Sequence, residues 1–471
     1  MPTKLQIIMT DSETKQRRRK ARRKSPLNPA HIITLGFLGV ILLGAFLLSL
    51  PVFSREHKWM NFLDAVFTAT SAVSTTGLMT VGDTAAYFNI GGQIVLLLLI
   101  QFGGVGFMCI TTLLMLLVRH KVTLKDRLLM KAEFNQTDNR GMIRLGRNIM
   151  LVTLGIEFVG WLLLLYPFVA KNGGIGVWQA LFTSVSSFCN AGFDVMRGQG
   201  GGSLMGFASD VTVNLSVSFL IMLGGFGFTV LMDIGKNKFN FRKLSYHTKI
   251  VLLTSGALII VGWIFFIGVE FHGKAMSDLS AGGKVLASLF QSISPRSTGF
   301  STVDQSELSS ASKFMTMLLM FIGASPGSTG GGIRTSTFAI LILVTVSGIR
   351  GNDEITVYKR TINLRSARKA VGVFTLSLGV VILATLIMLI GGTVPGTNAT
   401  FEEVLFEAMS AYTTAGLSCG VVSNLTAIGK IVLTLLMFFG RVGMATIGLL
   451  FLIKRNIDDK ITYPEVDLMV G

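Results

Sequence analysis

Arg296-Ser297-Thr298-Gly299-Phe300 decides the reading of this chain, because the chain contains four versions of it. The others are Ser74-Thr75-Thr76-Gly77-Leu78, Cys189-Asn190-Ala191-Gly192-Phe193 and Thr413-Thr414-Ala415-Gly416-Leu417. Each is a polar elbow ending in glycine, preceded by a short amphipathic stretch and flanked by long apolar segments. The glycines at 77, 192, 299 and 416 give spacings of 115, 107 and 117 residues. Upstream, Phe67, Phe182, Phe290 and Phe406 are each followed four residues later by Ser71, Ser186, Ser294 or Ser410. Downstream comes a second glycine set, Phe102-Gly103-Gly104-Val105-Gly106, Leu223-Gly224-Gly225-Phe226-Gly227, Ile322-Gly323-Ala324-Ser325-Pro326-Gly327 and Phe439-Gly440-Arg441-Val442-Gly443. Agreement at three offsets marks a fourfold internal repeat of helix, half-helix with elbow, and helix.

Composition supplies the medium. Half of the residues are apolar, only 14% are charged, and the mean hydropathy is +0.63, which places the chain in a membrane. Eight stretches have the roughly 20 apolar residues that a spanning helix needs: 31–53, 91–118, 149–170, 213–233, 249–270, 312–348, 370–391 and 427–453. Lipid-facing backbone must bond to itself, so these are helices. Shorter apolar stretches at 61–73, 176–187, 283–293 and 401–410 fit re-entrant half-helices. The fold class read here is an all-α polytopic membrane protein, with four parallel repeats around a central pore, eight full spans and four half-helices.

The net charge of +17 is concentrated at Lys15 to Lys24, Arg119 to Lys131 with Arg140 to Arg147, Lys236 to Lys249, Arg350 to Lys369, and Lys454 to Lys460. The positive-inside rule puts all of these segments, and both termini, in the cytoplasm. The organisation read from this is a basic tail 1–30, repeat 1 at 31–118, a linker 119–148, repeat 2 at 149–235 and a linker 236–248. Repeat 3 follows at 249–348 with an intramembrane loop at 323–334, then a linker 349–369, repeat 4 at 370–453 and a tail 454–471. The basic run of the N-terminal tail reads as a topology signal meeting anionic lipid headgroups, and not as a nucleic-acid arm. The first apolar run is itself long enough to span, so no cleavable signal peptide is read. Three cysteines and five scattered histidines support neither a disulfide framework nor a zinc site.

A cation leaving water must recover the oxygen ligands it loses, and rings of backbone carbonyls supply them without a fixed anion. Glycine permits backbone angles that aim carbonyls at the axis, and half-helices point their partially negative ends inward. Parallel repeats favour a ring around one axis over the inverted repeats of many alternating-access transporters. In the second glycine set, Gly103 to Gly106 and Gly224 to Gly227 read as close-packing sites.

Repeat 3 departs from its neighbours. Gly323-Ala324-Ser325-Pro326-Gly327-Ser328-Thr329-Gly330-Gly331-Gly332-Ile333-Arg334 holds too many helix breakers to stay one helix. A loop below the elbows is a candidate gate. The spacing of Gly327 and Gly332 superficially suggests a phosphate loop, but Ile333-Arg334 replaces the required Lys-Ser/Thr and no strand precedes it, so no enzyme activity is read. The third half-helix is also one residue shorter between Phe290 and Gly299, which makes the fourfold symmetry imperfect. Arg441, mid-span, either stands beside the pore and anchors the loop or pairs with Glu407, Glu402, Asp64 or Glu157. Glu157, also within an expected span, is a functional-site candidate by location, with a helix-to-helix hydrogen bond as the favoured reading.

These residues resemble the superfamily of potassium transporters and channels that includes bacterial Ktr and Trk proteins and plant HKT transporters. Eight spans are similar to the KtrB-type membrane subunit, with Ser294-Pro295-Arg296-Ser297-Thr298-Gly299-Phe300 and Phe439-Gly440-Arg441 as the closest motif matches. The resemblance implies a potassium filter at Thr75, Thr76, Gly77, Asn190, Ala191, Gly192, Ser297, Thr298, Gly299, Thr414, Ala415 and Gly416. It implies a gating loop at Gly323 to Gly332 with Arg334, and a pore arginine at Arg441. It also implies a homodimer on a KtrA-type cytosolic nucleotide-binding ring, since this chain carries no such domain. The expected cargo is potassium, with no covalent cofactor and with sodium as an open candidate for activator. The function expected is passive potassium uptake across the cytoplasmic membrane. The rivals are a sodium-coupled potassium symporter and a non-conducting scaffold or receptor subunit.

Overall fold

The computed structural model describes residues 29–106, 142–196, 203–238, 240–351, 354–357, 360–394 and 399–444. The first repeat comprises α1 (Pro29–Ser49), the half-helix α2 (Phe62–Val73) and α3 (Ile90–Val105). The second comprises α4 (Met142–Asn172), the half-helix α5 (Gly176–Phe188), α6 (Val211–Phe226) and α7 (Phe228–Lys236). The third has α8 (Tyr246–Glu270), the half-helix α9 (Ala281–Ile293), α10 (Ser310–Phe321) and α11 (Thr335–Ile349). In the fourth, α12 (Leu364–Gly391) leads to the half-helix α13 (Phe401–Thr413) and α14 (Ala427–Val442). The chain is a polytopic membrane protein, mostly helical.

Caps explain where these helices start. The second helix of every repeat opens on a side chain that accepts from a backbone N–H: Asn89 from Gly92, Asp210 from Val213, Ser309 from Ser312 and Thr426 from Gly429. Three half-helices open likewise, on Asn61, Ser280 and Thr400, the last in a reciprocal capping box with Glu403. Such caps satisfy amides that lipid could not.

Among the described residues, the segments long and apolar enough to cross a membrane are His31–Ser49, Gly146–Phe188, Tyr246–Glu270 and Leu364–Gly391. In Gly146–Phe188, α4 passes through a short turn at Gly173–Ile175 into α5. The second helices correct the sequence reading. Spans 91–118, 213–233 and 427–453 were expected to be continuous, yet each is interrupted at a glycine with positive φ: Gly106 at 96°, Gly227 at 88° and Gly443 at 86°. A right-handed helix cannot pass through that backbone geometry. The α6 and α7 axes differ by 98° as a result. The break expected at 323–334 thus belongs to a feature present in all four repeats. Residues 107–118 and 445–453 of the expected spans lie outside the described residues. So do the basic clusters at Lys15 to Lys24, Arg119 to Lys131 and Lys454 to Lys460. Within the 349–369 stretch, Thr356–Val357 pairs antiparallel with Arg360–Thr361 in a two-stranded ribbon.

Packing closes the repeats into a ring. Each second helix lies against the half-helix of the next repeat: α3 against α5, α6 against α9, α10 against α13, and α14 back against α2. At the last seam Lys430 Nζ meets Asp64 Oδ1 at 2.6 Å. Close approach is built by the second glycine set, as expected for Gly103 and Gly224. A Cβ on Gly103, Gly224 or Gly440 would overlap the carbonyl oxygen of Val73, Phe188 or Tyr412, at the inner ends of three half-helices. The matched phenylalanines Phe67, Phe182, Phe290 and Phe406 are all fully buried behind the elbows. In a membrane such packing, and not expulsion of water, holds helices together.

Candidate functional site

The four elbows share one alternation of backbone handedness, with repeat 3 a variant of it. Thr75, Asn190 and Thr414 have φ of 56°, 56° and 52°, Ser297 has 113°, and the glycines Gly77, Gly192, Gly299 and Gly416 have 97°, 69°, 82° and 80°. The residues between them, Thr76, Ala191, Thr298 and Ala415, have ordinary negative φ. Alternating handedness turns successive carbonyls to the same side of the chain, whereas an ordinary strand turns them to opposite sides. Repeat 3 differs as its missing residue requires. Its half-helix finishes in a 3-10 turn at Ser294–Arg296, and Thr298 N–H donates to Ser294 O, four residues back. The matching bonds elsewhere run five residues back, from Thr76 to Ser71, Ala191 to Ser186 and Ala415 to Ser410.

The glycines come together in strict rotation. A Cβ on Gly77 would be driven into the carbonyl oxygen of Ala191, one on Gly192 into that of Thr298, one on Gly299 into that of Ala415, and one on Gly416 into that of Thr76. Each glycine therefore rests on the carbonyl before the next repeat's glycine, and the fourth returns to the first. A ring this tight requires glycine at all four positions for space as well as for φ. On one side of the ring is a vestibule of about 730 Å³ whose lining includes the four glycines, Asp83, Asp194 and Asp304.

On the other side of the ring lies the 323–334 loop. It meets the residue two before each glycine in every repeat. Thr75 Oγ1 donates to Thr329 O at 3.0 Å. With its amide nitrogen facing the Ser187 and Ile221 carbonyls, the Asn190 side-chain oxygen accepts from Thr329 Oγ1 at 3.2 Å. Gly330 and Gly331 fit only because they lack side chains, since a Cβ would strike Ser297 Oγ and Thr414 Oγ1 respectively. The loop is also tied to the end of α6 and the start of α7: Ser325 N–H donates to Gly225 O at 2.9 Å, Thr329 N–H to Gly224 O at 3.3 Å, and Phe228 N–H to Gly327 O at 3.0 Å. Positive φ at Gly327 and Gly332, 68° and 76°, turns the chain at its two bends. Gly323 packs against the Gly331 carbonyl, Ala324 O accepts from Thr335 N–H, and the Pro326 carbonyl abuts Gly227.

Two arginines hold this loop. Arg334 Nη1 donates to Gly330 O, to Ser325 O at 3.3 Å and to Ser328 Oγ at 3.4 Å. Arg441 Nη1 donates to Thr329 O and to Thr75 Oγ1 at 3.3 Å, while Nη2 donates to Gly103 O and to Gly104 O at 3.3 Å. Arg441 thus bridges the loop to the broken end of α3. The carboxylates weighed as its partners are engaged elsewhere: Asp64 with Lys430 and Thr80, Glu402 with Ser310, Glu407 with Ser418 and Cys419. Glu157 accepts from Gln101 Nε2 at 3.2 Å and from the Cys189 thiol, a helix-to-half-helix contact of the kind expected. Sequence reasoning placed the loop below the elbows and named Thr75, Asn190, Ser297 and Thr414, but did not foresee that these four meet the loop, because they share a repeat position and not a residue type.

The profile of the TrkH family, described as cation transport protein, matches residues 32–462. The chain belongs to this family. It is a membrane cation transporter of the Trk/Ktr group. The potassium/sodium uptake protein NtpJ of Enterococcus hirae is 36% identical over 454 residues, covering 96% of this chain and 99% of the relative. The Ktr system potassium uptake protein B of Vibrio alginolyticus is 35% identical over 443 residues, covering 93% and 94%. The crystal structure of the potassium transporter TrkH from Vibrio parahaemolyticus superposes with a TM-score of 0.71 at 16% identity, over 91% of this chain and 86% of that one, a likeness of fold.

Proposed function

We propose that this chain carries potassium inward across the cytoplasmic membrane through the central ring, down its electrochemical gradient. The observation that carries the reading is the closed rotation of filter glycines onto neighbouring carbonyls. It sets backbone oxygens from four repeats around one axis, where they replace water around a cation without a buried anion. The inside-negative potential supplies about 2.3 kcal/mol per charge for each 100 mV, so accumulation needs no hydrolysis by this chain. The filter residues are Thr75 to Gly77, Asn190 to Gly192, Ser297 to Gly299 and Thr414 to Gly416. The 323–334 loop obstructs the inner mouth, and Arg441 holds it there through the Thr329 carbonyl.

Opening then requires the loop to leave the elbows. We assign the trigger to a KtrA-type cytosolic nucleotide-binding partner beneath a homodimer, since one relative is named for a Ktr system. The basic segments Lys236 to Lys249 and Arg350 to Lys369 support a cytoplasmic placement of that side, with both termini on it. A second reading, sodium coupling or sodium activation through the same filter, is favoured by the relative named a potassium/sodium uptake protein.

Complementation tests the proposal. In a host lacking its own potassium uptake, this chain with a Ktr-type cytosolic partner is expected to restore growth at limiting potassium. Membrane-inserted protein that never restores growth, with or without sodium, contradicts it.

A further inference from the structure

In every repeat, a polar side chain of the half-helix reaches across to the segment that leaves the filter toward the vestibule. Asp64 Oδ1 accepts from Thr80 Oγ1 at 2.7 Å, and Gln179 Nε2 donates to Val195 O at 3.2 Å. Gln291 and Gln305 exchange amide hydrogen bonds at 2.8 and 3.1 Å. Glu407 Oε1 accepts from Ser418 Oγ at 2.6 Å and from Cys419 N–H at 2.9 Å. Gln291 and Glu407 each stand one residue after the matched phenylalanine, and Asp64 and Gln179 three before it. Those positions are four residues apart, hence on one face of the half-helix. Four struts on one face, built from three residue types, carry no motif.

We infer that these side chains are positioning residues for the outer half of the filter, with Glu407 the most consequential. Glu407 is wholly buried, and its bonds seize the chain two and three residues past Gly416. Cys419 in turn donates its thiol to Gln305 O, which joins the third and fourth struts. A buried carboxylate is costly unless hydrogen-bonded. Discrimination between alkali cations needs a fixed number of carbonyls at fixed directions, and a strut from a rigid half-helix supplies that constraint. The inference rests on the elbows being the filter.

The test compares potassium and sodium influx into liposomes holding the purified full-length chain, under one imposed potential, for wild type, Glu407→Gln, Glu407→Ala and Ser418→Ala. Glu407→Gln keeps an acceptor oxygen and is expected to keep the wild-type preference. Glu407→Ala removes both bonds and is expected to lose about tenfold in potassium preference, the scale of two ordinary hydrogen bonds. Ser418→Ala, which leaves the carboxylate its Cys419 amide, is expected to lose about threefold and serves where Glu407→Ala fails to elute as wild type does. Unchanged preference in a folded Glu407→Ala or in Ser418→Ala overturns the inference. A loss in Glu407→Gln as large as in Glu407→Ala makes the charge, and not the strut, responsible and overturns it too. A wild-type chain without potassium preference sinks the filter reading itself, a result distinguishable from the others.

Discussion

Gly299 adopts φ of 82°, and a Cβ there would sit 2.6 Å from the Ala415 carbonyl oxygen. Gly299→Ser therefore adds left-handed strain of about 1–2 kcal/mol and displaces one carbonyl of the ring. The expected outcome is a fall in potassium-over-sodium preference, read as the influx ratio in liposomes, with insertion retained. Gly330→Ala acts on the other side of the ring. Its methyl group would collide with Ser297 Oγ, a buried hydroxyl held in a strained elbow, so the loop must yield. Influx without any activating partner is expected to rise several-fold over wild type, the effect of about 1 kcal/mol on the closed state; unchanged influx would free Gly330 of its part in closure. The glycines were legible in the sequence because space and φ demand one residue type at matched positions. Thr75, Asn190, Ser297 and Thr414, two residues before them, were read as filter positions too, but their shared packing against one loop was not, because threonine, asparagine and serine carry no common pattern that marks a single partner.

Elements repeat the pattern. The half-helices were readable from short apolar runs ending at elbows, and α2, α5, α9 and α13 lie within three residues of the ranges expected at each end. The breaks after α3, α6 and α14 were not, since the glycines clustered there also serve close packing of unbroken membrane helices. Only the density of breakers at 323–334 announced its break. Arg441 shows what those breaks provide: carbonyls at Gly103 and Gly104, in the last turn of α3, accept a guanidinium that also holds Thr329. Arg441→Gln loses these charge-assisted bonds, and about 1–3 kcal/mol of stability with them. The melting temperature in detergent is expected to drop while influx without a partner rises. A lower melting temperature with unaltered influx would make Arg441 structural alone.

At the scale of the whole molecule, four repeats close only if the last meets the first. Lys430 and Asp64, about one-fifth and one-eighth exposed, join across that seam. Lys430→Met is expected to cost about 1–2 kcal/mol, between exposed and buried ion pairs. Lys430→Met combined with Asp64→Asn should cost less than the two changes added separately, as coupled neighbours do; strict additivity in melting experiments would remove the pair from the closure. The ring itself was legible from the repeat spacing, whereas its order of contact, each glycine on the next repeat's carbonyl, depends on three-dimensional closure that no local pattern encodes. The most direct test of the account is potassium influx into liposomes that contain only this chain, driven by an imposed inside-negative potential, with and without sodium. The account expects slow, potential-driven, potassium-preferring influx without sodium, increased when the cytosolic partner is added. Influx that requires sodium in fixed proportion, or none at all with folded protein and partner present, would contradict a passive pore.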